Sequence, residues 1–89
     1  MHAADVSAKR FTTTAFRTGY VIDEVDDLLT RIAATLAGYE QGGADGPITA
    51  EHVTGHRFTS TRFRSGYDQD EVDDFLDQVV VALRRHEER

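Results

Sequence analysis

Two long stretches of the chain carry apolar residues at alternating spacings of four and three, which is the pattern of an amphipathic helix. The first stripe consists of Val25, Leu29, Ile32, Leu36 and Tyr39. The second consists of Val72, Leu76, Val79, Leu83 and His86. One stripe per helix, sustained for about two heptads, predicts a short coiled-coil-like seam between two helices.

The two stretches belong to an internal repeat in which each residue aligns with the residue 47 positions later. When 4–36 is aligned with 51–83 without a gap, 16 of 33 pairs are identical, so chance similarity is a poor explanation. Glycines and the only proline lie between the copies and predict a flexible linker. We therefore divide the chain into a first repeat at 1–39, a linker at 40–48 and a second repeat at 49–89.

Each repeat contains the same three kinds of segment. A Thr49-capped helical turn that ends near Gly55 is predicted in the second copy, with 3–8 as its counterpart in the first. Alternating threonine and phenylalanine then favour extended backbone, and a glycine permits a tight turn before the tyrosine of each Gly-Tyr pair. A helix of about five turns follows, so the unit is a short turn, an extended or hairpin-like segment and a helix.

The starts of the two long helices differ. Asp68, followed by Glu71 three residues later, predicts a capping box for the second helix. Val21 occupies the matching position in the first copy and cannot cap through its side chain. We expect the first helix to start later, with Asp23 as its cap.

These elements predict an all-α fold in which the two repeats pack as a pseudo-two-fold pair around a parallel seam. One compact domain then buries both stripes within one chain. The competing arrangement is an intermolecular dimer or an exchanged four-helix assembly, which the flexible linker permits.

Composition narrows the function classes. The 89 residues contain no cysteine and carry a net charge of -6, which argues against a disulfide framework and against a dedicated nucleic-acid binder. No apolar run is long enough for a membrane span, and no signal-peptide pattern opens the chain. No catalytic constellation is found, and His52 and His56 lack a third metal ligand nearby. We expect a non-enzymatic cytoplasmic protein without metal or cofactor.

One motif resembles a known family. The run from Phe63 through Gly66-Tyr67-Asp68 to the Glu-Val-Asp-Asp-Phe-Leu-Asp segment at 71–77 resembles the N-terminal domain of DivIVA and of its relative GpsB. The first copy carries a similar string at 16–29, so the resemblance covers nearly the whole chain. Tandem copies are similar to the short DivIVA-domain repeat proteins of actinobacterial type. The sequence departs from the family in an additional residue, Thr18 or Ser65, between Arg and Gly, and it contains no long coiled coil.

The resemblance implies a cell-division or polar-growth scaffold at the inner face of the membrane, at the septum or the cell pole. In DivIVA-like proteins two chains pair through parallel helices, and an exposed Phe-Arg pair contacts anionic lipid. Those pairs match Phe16-Arg17 and Phe63-Arg64 here. Core packing is the simpler interpretation of the two phenylalanines in so small a domain, and the net charge of -6 opposes attraction to anionic lipid.

In GpsB-like proteins the same domain binds arginine-bearing tails of cell-wall enzymes. The matching residues are Tyr67, Asp73 and Asp77 in the second copy, and Tyr20 and Asp26 in the first, where Thr30 replaces the last acid. Two carboxylates beside a tyrosine ring suit a guanidinium group. Internal pairing with Arg57 or Arg64 remains open for Asp73 and Asp77. The neighbouring acids form a capped and solvated helix start in the simpler interpretation, and these are Asp23, Asp27, Asp70 and Asp74. The resemblance therefore implies either an adaptor for protein partners or a membrane-targeting module.

Overall fold

A computed structural model describes residues 1–43, 46–62 and 64–88 of the chain. Each repeat forms a six-residue helix, two very short strands and a 19-residue helix. The elements of the first repeat are α1 (Ala3–Ala8), β1 (Thr13–Thr14), β2 (Gly19–Tyr20) and α2 (Ile22–Glu40). Those of the second repeat are α3 (Ala50–Gly55), β3 (Ser60–Thr61), β4 (Gly66–Asp68) and α4 (Gln69–Glu87).

The four strands form one antiparallel sheet in the order β1-β4-β2-β3, so the prediction of an all-α fold is wrong. Thr13 of β1 lies opposite Tyr67 of β4, and Tyr20 of β2 lies opposite the same tyrosine on the other side. Every strand pair joins one repeat to the other. The extended segments were predicted, but strands of two or three residues are too short to leave an alternating pattern in the sequence.

Matched backbone contacts relate the repeats by a pseudo-two-fold axis. The Thr12 amide donates to the Glu71 carboxylate at 2.9 Å, and the equivalent Thr59 amide donates to the Glu24 carboxylate at 2.7 Å. Glu24 and Glu71 lie in the first turns of α2 and α4. The sheet therefore joins the two long helices at the end where both begin.

The two long helices run parallel. Their starts meet at the sheet, and their C-terminal ends meet where Tyr39 of α2 stacks on His86 of α4. The ring centroids are 4.5 Å apart and the planes differ by 5°. These two residues occupy equivalent positions of the repeat, so the helices are in register along the seam.

The predicted apolar stripes of α2 and α4 form the core. The buried members of the stripes are Val25, Leu29, Ile32, Leu36, Val72, Leu76, Val79 and Leu83. Leu28 and Phe75 widen the two stripes, and Val6 of α1 and Val53 of α3 belong to the same buried cluster. Both repeats contribute to this one cluster, so neither repeat has a separate core.

The cap at the start of α4 is the predicted one. The Asp68 carboxylate accepts a hydrogen bond from the Glu71 amide at 3.1 Å. The second half of the capping box is replaced by a contact between repeats, because the Glu71 carboxylate accepts from the Thr12 amide. The Asp68 amide in turn donates to the Thr12 carbonyl at 2.9 Å.

The start of α2 differs from the sequence expectation. This helix begins at Ile22, the position equivalent to the first residue of α4, and not later with Asp23 as its cap. No side chain caps it at Val21. Instead the Val21 amide donates to the Thr59 carbonyl at 3.0 Å, so the other repeat holds the helix start in place.

Gly19 and Gly66 lie inside the central strands rather than in turns. Among the described residues, the only glycine with positive φ is Gly42. A Cβ atom at Gly19 would lie 2.8 Å from the carbonyl oxygen of Tyr67, and one at Gly66 would lie 2.9 Å from that of Tyr20. The sequence needs glycine here because the two central strands approach closely, and not because the chain turns.

Part of the predicted linker at 40–48 is packed against α2. Glu40 is the last residue of that helix, and Ile48 is 2% exposed. The Thr35 hydroxyl donates to the Arg31 carbonyl at 3.0 Å and accepts from the Ile48 amide at 3.1 Å. A Cβ atom at Gly46 would clash with the Thr35 side chain. Residues 44 and 45 of the linker lie outside the described residues.

Candidate functional site

Two grooves related by the pseudo-two-fold axis each combine a tyrosine from one repeat with a carboxylate from the other. The Tyr20 hydroxyl donates to Asp73 at 2.8 Å, and the Tyr67 hydroxyl donates to Asp26 at 2.7 Å. The sequence grouped Tyr67 with Asp73 and Asp77, and Tyr20 with Asp26. The structure exchanges the tyrosines, because β2 and β4 pair across the pseudo-two-fold axis.

We call the first cavity the Tyr20 groove. It has a volume of about 560 Å³. Its lining includes Tyr20, His56, Arg57, Phe58, Asp73 and Asp77. Asp73 and Asp77 lie one turn apart on α4 and share a face. Both side chains are exposed, so their carboxylates are open to a ligand.

We call the second cavity the Tyr67 groove. It has a volume of about 500 Å³. Its lining includes Lys9, Arg10, Asp26, Leu29, Thr30 and Tyr67. Thr30 occupies the position equivalent to Asp77, and its hydroxyl donates to the Asp26 carbonyl at 2.9 Å. This groove has one carboxylate where the Tyr20 groove has two.

The tyrosine hydroxyls are firmly held donors. Burial, together with the hydrogen bond to Asp73 and the negative charge of that carboxylate, raises the pKa of Tyr20 to about 12. Burial and the bond to Asp26 raise the pKa of Tyr67 to about 12 in the same way. At neutral pH both hydroxyls keep their protons and fix one oxygen of each carboxylate, which leaves the other oxygen for a ligand.

Among the described residues, the acids of the Tyr20 groove form no internal ion pair. In the described part of the chain, the ion pairs are Arg17–Asp68, Arg31–Asp27 and the pair of His2 with Glu40. Arg57 lines the groove, but its guanidinium donates to the carbonyls of Thr54 and His56 at 3.4 and 3.2 Å. The internal pairing considered for Asp73 and Asp77 is therefore not formed within this part of the chain.

Sequence reasoning missed two residues that line equivalent walls of the grooves, Lys9 and His56. Lys9 Nζ lies 5.3 Å from the centroid of the Phe75 ring and 5.6 Å from that of Phe11. His56 packs edge-on against Phe58 with centroids 4.7 Å apart. The signal was present in the repeat alignment, where a lysine in one copy matches a histidine in the other.

Phe75 packs near the Tyr67 groove and not near the groove that the acids of its own helix line. Phe75 lies on α4, whose Asp73 and Asp77 line the Tyr20 groove. In the structure its ring packs edge-on against Phe11 with centroids 5.9 Å apart, and Phe11 contacts Tyr67. Phe75 thus supports the Tyr67 groove.

The second set of candidate residues lies in the loops between the strands. Phe16 is 94% exposed, so it is not part of the core. Arg17 donates to the Asp68 carboxylate at 2.7 Å, and its side chain is still 73% exposed. Arg64 is exposed, whereas Phe63 lies outside the described residues. Arg62 Nε donates to the Thr18 hydroxyl at 3.2 Å, so the two loops contact each other.

The two histidines considered as metal ligands are close in space, but they are only two. His52 and His56 have ring centroids 5.8 Å apart. In the ranges that the structure describes, no group of three or more potential metal ligands is present. Over the same ranges, no helix has both the length and the apolar character needed to cross a bilayer.

Comparisons with family models, with curated proteins and with solved structures yield no match to this chain.

Proposed function

We propose that this protein is a non-enzymatic scaffold or adaptor that binds an arginine-bearing segment of a protein partner in the Tyr20 groove. The partners suggested by the DivIVA-like motif are cytoplasmic tails of cell-wall enzymes or other division proteins at the inner face of the membrane. The observation that carries the proposal is the joint presence of Tyr20, Asp73 and Asp77 in one open cavity.

The chemistry of the groove fits a guanidinium group. Two carboxylates on one helix face accept charge-assisted hydrogen bonds, which are stronger than neutral ones and favour the forked geometry of arginine. The Tyr20 ring offers an aromatic face for a cation, and Leu76 and Val80 line the same cavity and suit the aliphatic part of the side chain. A charged group held in this way gains roughly 1.5–3 kcal/mol per hydrogen bond.

The pseudo-symmetry provides a matched pair of variants. Asp73→Ala and Asp26→Ala each remove a carboxylate that accepts from a tyrosine hydroxyl, so their structural costs are comparable. With a blocked peptide that contains two arginines and no acid, calorimetric titration is expected to show at least about tenfold weaker binding for Asp73→Ala. Asp26→Ala is expected to bind nearly as the unchanged protein does. Equal losses contradict the Tyr20 groove as the site, and circular dichroism checks that both variants fold.

One observation favours a second function, attachment to a membrane surface. Phe16 is almost fully exposed at a loop tip, with Arg17 beside it and Arg64 exposed in the contacting loop. A phenylalanine inserts apolar area into the lipid interface, and each arginine near anionic headgroups contributes roughly 1 kcal/mol. The ion pair of Arg17 with Asp68 and the net charge of -6 both oppose this attraction.

Vesicle co-sedimentation tests the second function separately. Phe16→Ala is expected to lower binding to vesicles rich in phosphatidylglycerol if the loops attach the protein to membranes. Val81→Ala is the control, because Val81 is 51% exposed on α4 and lies away from the loops. Absence of vesicle binding at every lipid composition contradicts attachment by the loops and leaves the adaptor.

A further inference from the structure

The two grooves share one architecture but differ in charge. The lining of the Tyr20 groove holds two carboxylates and one guanidinium, a net charge of -1 with His56 neutral. The lining of the Tyr67 groove holds one carboxylate, one ammonium and one guanidinium, a net charge of +1. Two substitutions between the copies cause the difference, since Lys9 matches His56 and Thr30 matches Asp77.

Lys9 lines the Tyr67 groove and places a cation over the aromatic residues beside it. Its ammonium lies over Phe75 and Phe11, 5.3 and 5.6 Å from the ring centroids, within the range of cation–π attraction. The Phe11 ring packs on Tyr67, 5.2 Å between centroids, so the aromatic cluster behind this groove already has a cation. In the Tyr20 groove, a histidine ring takes the equivalent place against Phe58.

We infer that Lys9 and Thr30 are specificity-determining residues that exclude arginine-bearing segments from the Tyr67 groove, so that one chain holds only one such segment. This inference rests on the proposed function of the Tyr20 groove. An arginine entering the Tyr67 groove meets the like charge of Lys9 and finds only the Asp26 carboxylate, which already accepts from Tyr67. A symmetric pair of repeats would hold two segments and bring two partners together, whereas this chain holds one.

Substitutions that exchange the charged residues between the two grooves should reverse this exclusion. Lys9→His together with Thr30→Asp gives the Tyr67 groove the same charged groups as the Tyr20 groove. Both residues are exposed, so the core is unaffected. The reciprocal variant His56→Lys gives the Tyr20 groove the ammonium of its counterpart, at a position where the fold accepts lysine in the other copy.

Amide chemical shifts on titration with the two-arginine peptide report each groove separately, through Thr54 near the Tyr20 groove and Ser7 near the Tyr67 groove. In the unchanged protein, the amide resonance of Thr54 is expected to shift on titration, whereas that of Ser7 should not change. In the Lys9→His, Thr30→Asp variant, both are expected to shift, with dissociation constants within about fivefold of each other. His56→Lys is expected to weaken the Thr54 response at least about fivefold, the effect of roughly 1 kcal/mol between charges in water.

The outcomes separate the two claims. If only the Tyr20 groove responds in both the unchanged protein and the double variant, the adaptor function stands and the role of Lys9 and Thr30 is overturned. If both grooves respond equally in the unchanged protein, the exclusion is overturned. If neither groove responds in any variant, the proposed function fails and the inference fails with it.

Discussion

The hydroxyl of Tyr20 donates a 2.8 Å hydrogen bond to the carboxylate of Asp73, which lies 53 residues further along the chain. Tyr20 belongs to the first repeat and Asp73 to the second, so the candidate site forms only when the repeats are interleaved. The matching bond from Tyr67 to Asp26 shows that this crossing is a property of the pseudo-symmetric fold. Each groove is therefore a joint product of both copies.

The raised tyrosine pKa values predict a loss of stability in alkali. An unfolded tyrosine ionises near pH 10, whereas Tyr20 and Tyr67 in the folded chain have pKa values of about 12. Between these values the folded state binds more protons than the unfolded state, so the free energy of unfolding falls as pH rises from 10 to 12 and is unaffected by these groups below pH 10. Urea unfolding at pH 9, 10.5 and 11.5 measures the slope. The double variant Tyr20→Phe, Tyr67→Phe is expected to show a shallower decline, and an unchanged slope contradicts the assignment.

Alanine at the strand glycines is expected to destabilise the protein. Gly19→Ala and Gly66→Ala each place a Cβ atom within 2.9 Å of a backbone carbonyl oxygen in the facing strand. Such overpacking typically costs about 1–3 kcal/mol of unfolding free energy. Gly38→Ala is the control, because nothing lies within 4 Å of its Cβ position in α2. Replacing glycine within a helix should instead stabilise by about 0.5–1 kcal/mol. The midpoints of thermal and urea unfolding should therefore fall for the two strand variants and rise for Gly38→Ala. An unchanged midpoint for Gly19→Ala would contradict the close approach of β2 and β4.

The buried hydroxyl of Thr35 is expected to hold the end of the linker in place. Thr35→Val keeps the shape of the side chain but leaves the Ile48 amide without its acceptor, which costs about 1–3 kcal/mol for a buried donor. Thr30→Val is the matched control, since Thr30 also donates to the carbonyl four residues earlier but is exposed. Thr30→Val should change the free energy of unfolding by no more than about 0.5 kcal/mol. Faster hydrogen exchange at the Ile48 amide in Thr35→Val alone provides the local readout, and equal effects in both variants would argue against the contact.

A missing helix cap can be supplied to the first repeat. Val21 and Asp68 precede their helices with nearly the same backbone angles, φ -59 and ψ 121 against φ -55 and ψ 123. Val21→Asp should therefore cap α2 as Asp68 caps α4, with a gain of about 1 kcal/mol in unfolding free energy. The reverse change, Asp68→Val, should lose a similar amount and in addition the ion pair with Arg17. That pair is worth about 0–1 kcal/mol because the Arg17 side chain is largely solvated. Destabilisation by Val21→Asp would show that the half-buried valine packs more favourably than a cap.

Features that depend on residues close together in the chain could be predicted from the sequence. The spacing of Val25, Leu29 and Ile32 and of their partners 47 positions later predicted both core stripes, because helical periodicity places such residues on one face. Asp68 and Thr49 were predicted as caps, and both accept the expected amide hydrogen bonds. These interactions join residues three or four apart, so a short window of sequence contains all the information.

Features that join residues far apart in the chain became evident only from the folded structure. Two-residue strands carry no periodic signal, so the sequence did not show that β2 pairs with β4 or that the fold is mixed α/β. The pairing of β2 with β4 places Tyr20 beside Asp73 and Tyr67 beside Asp26. It also brings the backbone of β4 close to Gly19. The Val21–Thr59 bond, next to the pairing of β2 with β3, holds the start of α2 at Ile22 without a side-chain cap. Contacts between residues about 40 to 50 positions apart form only when the repeats pack together, because loop closure and burial, rather than local propensity, select them.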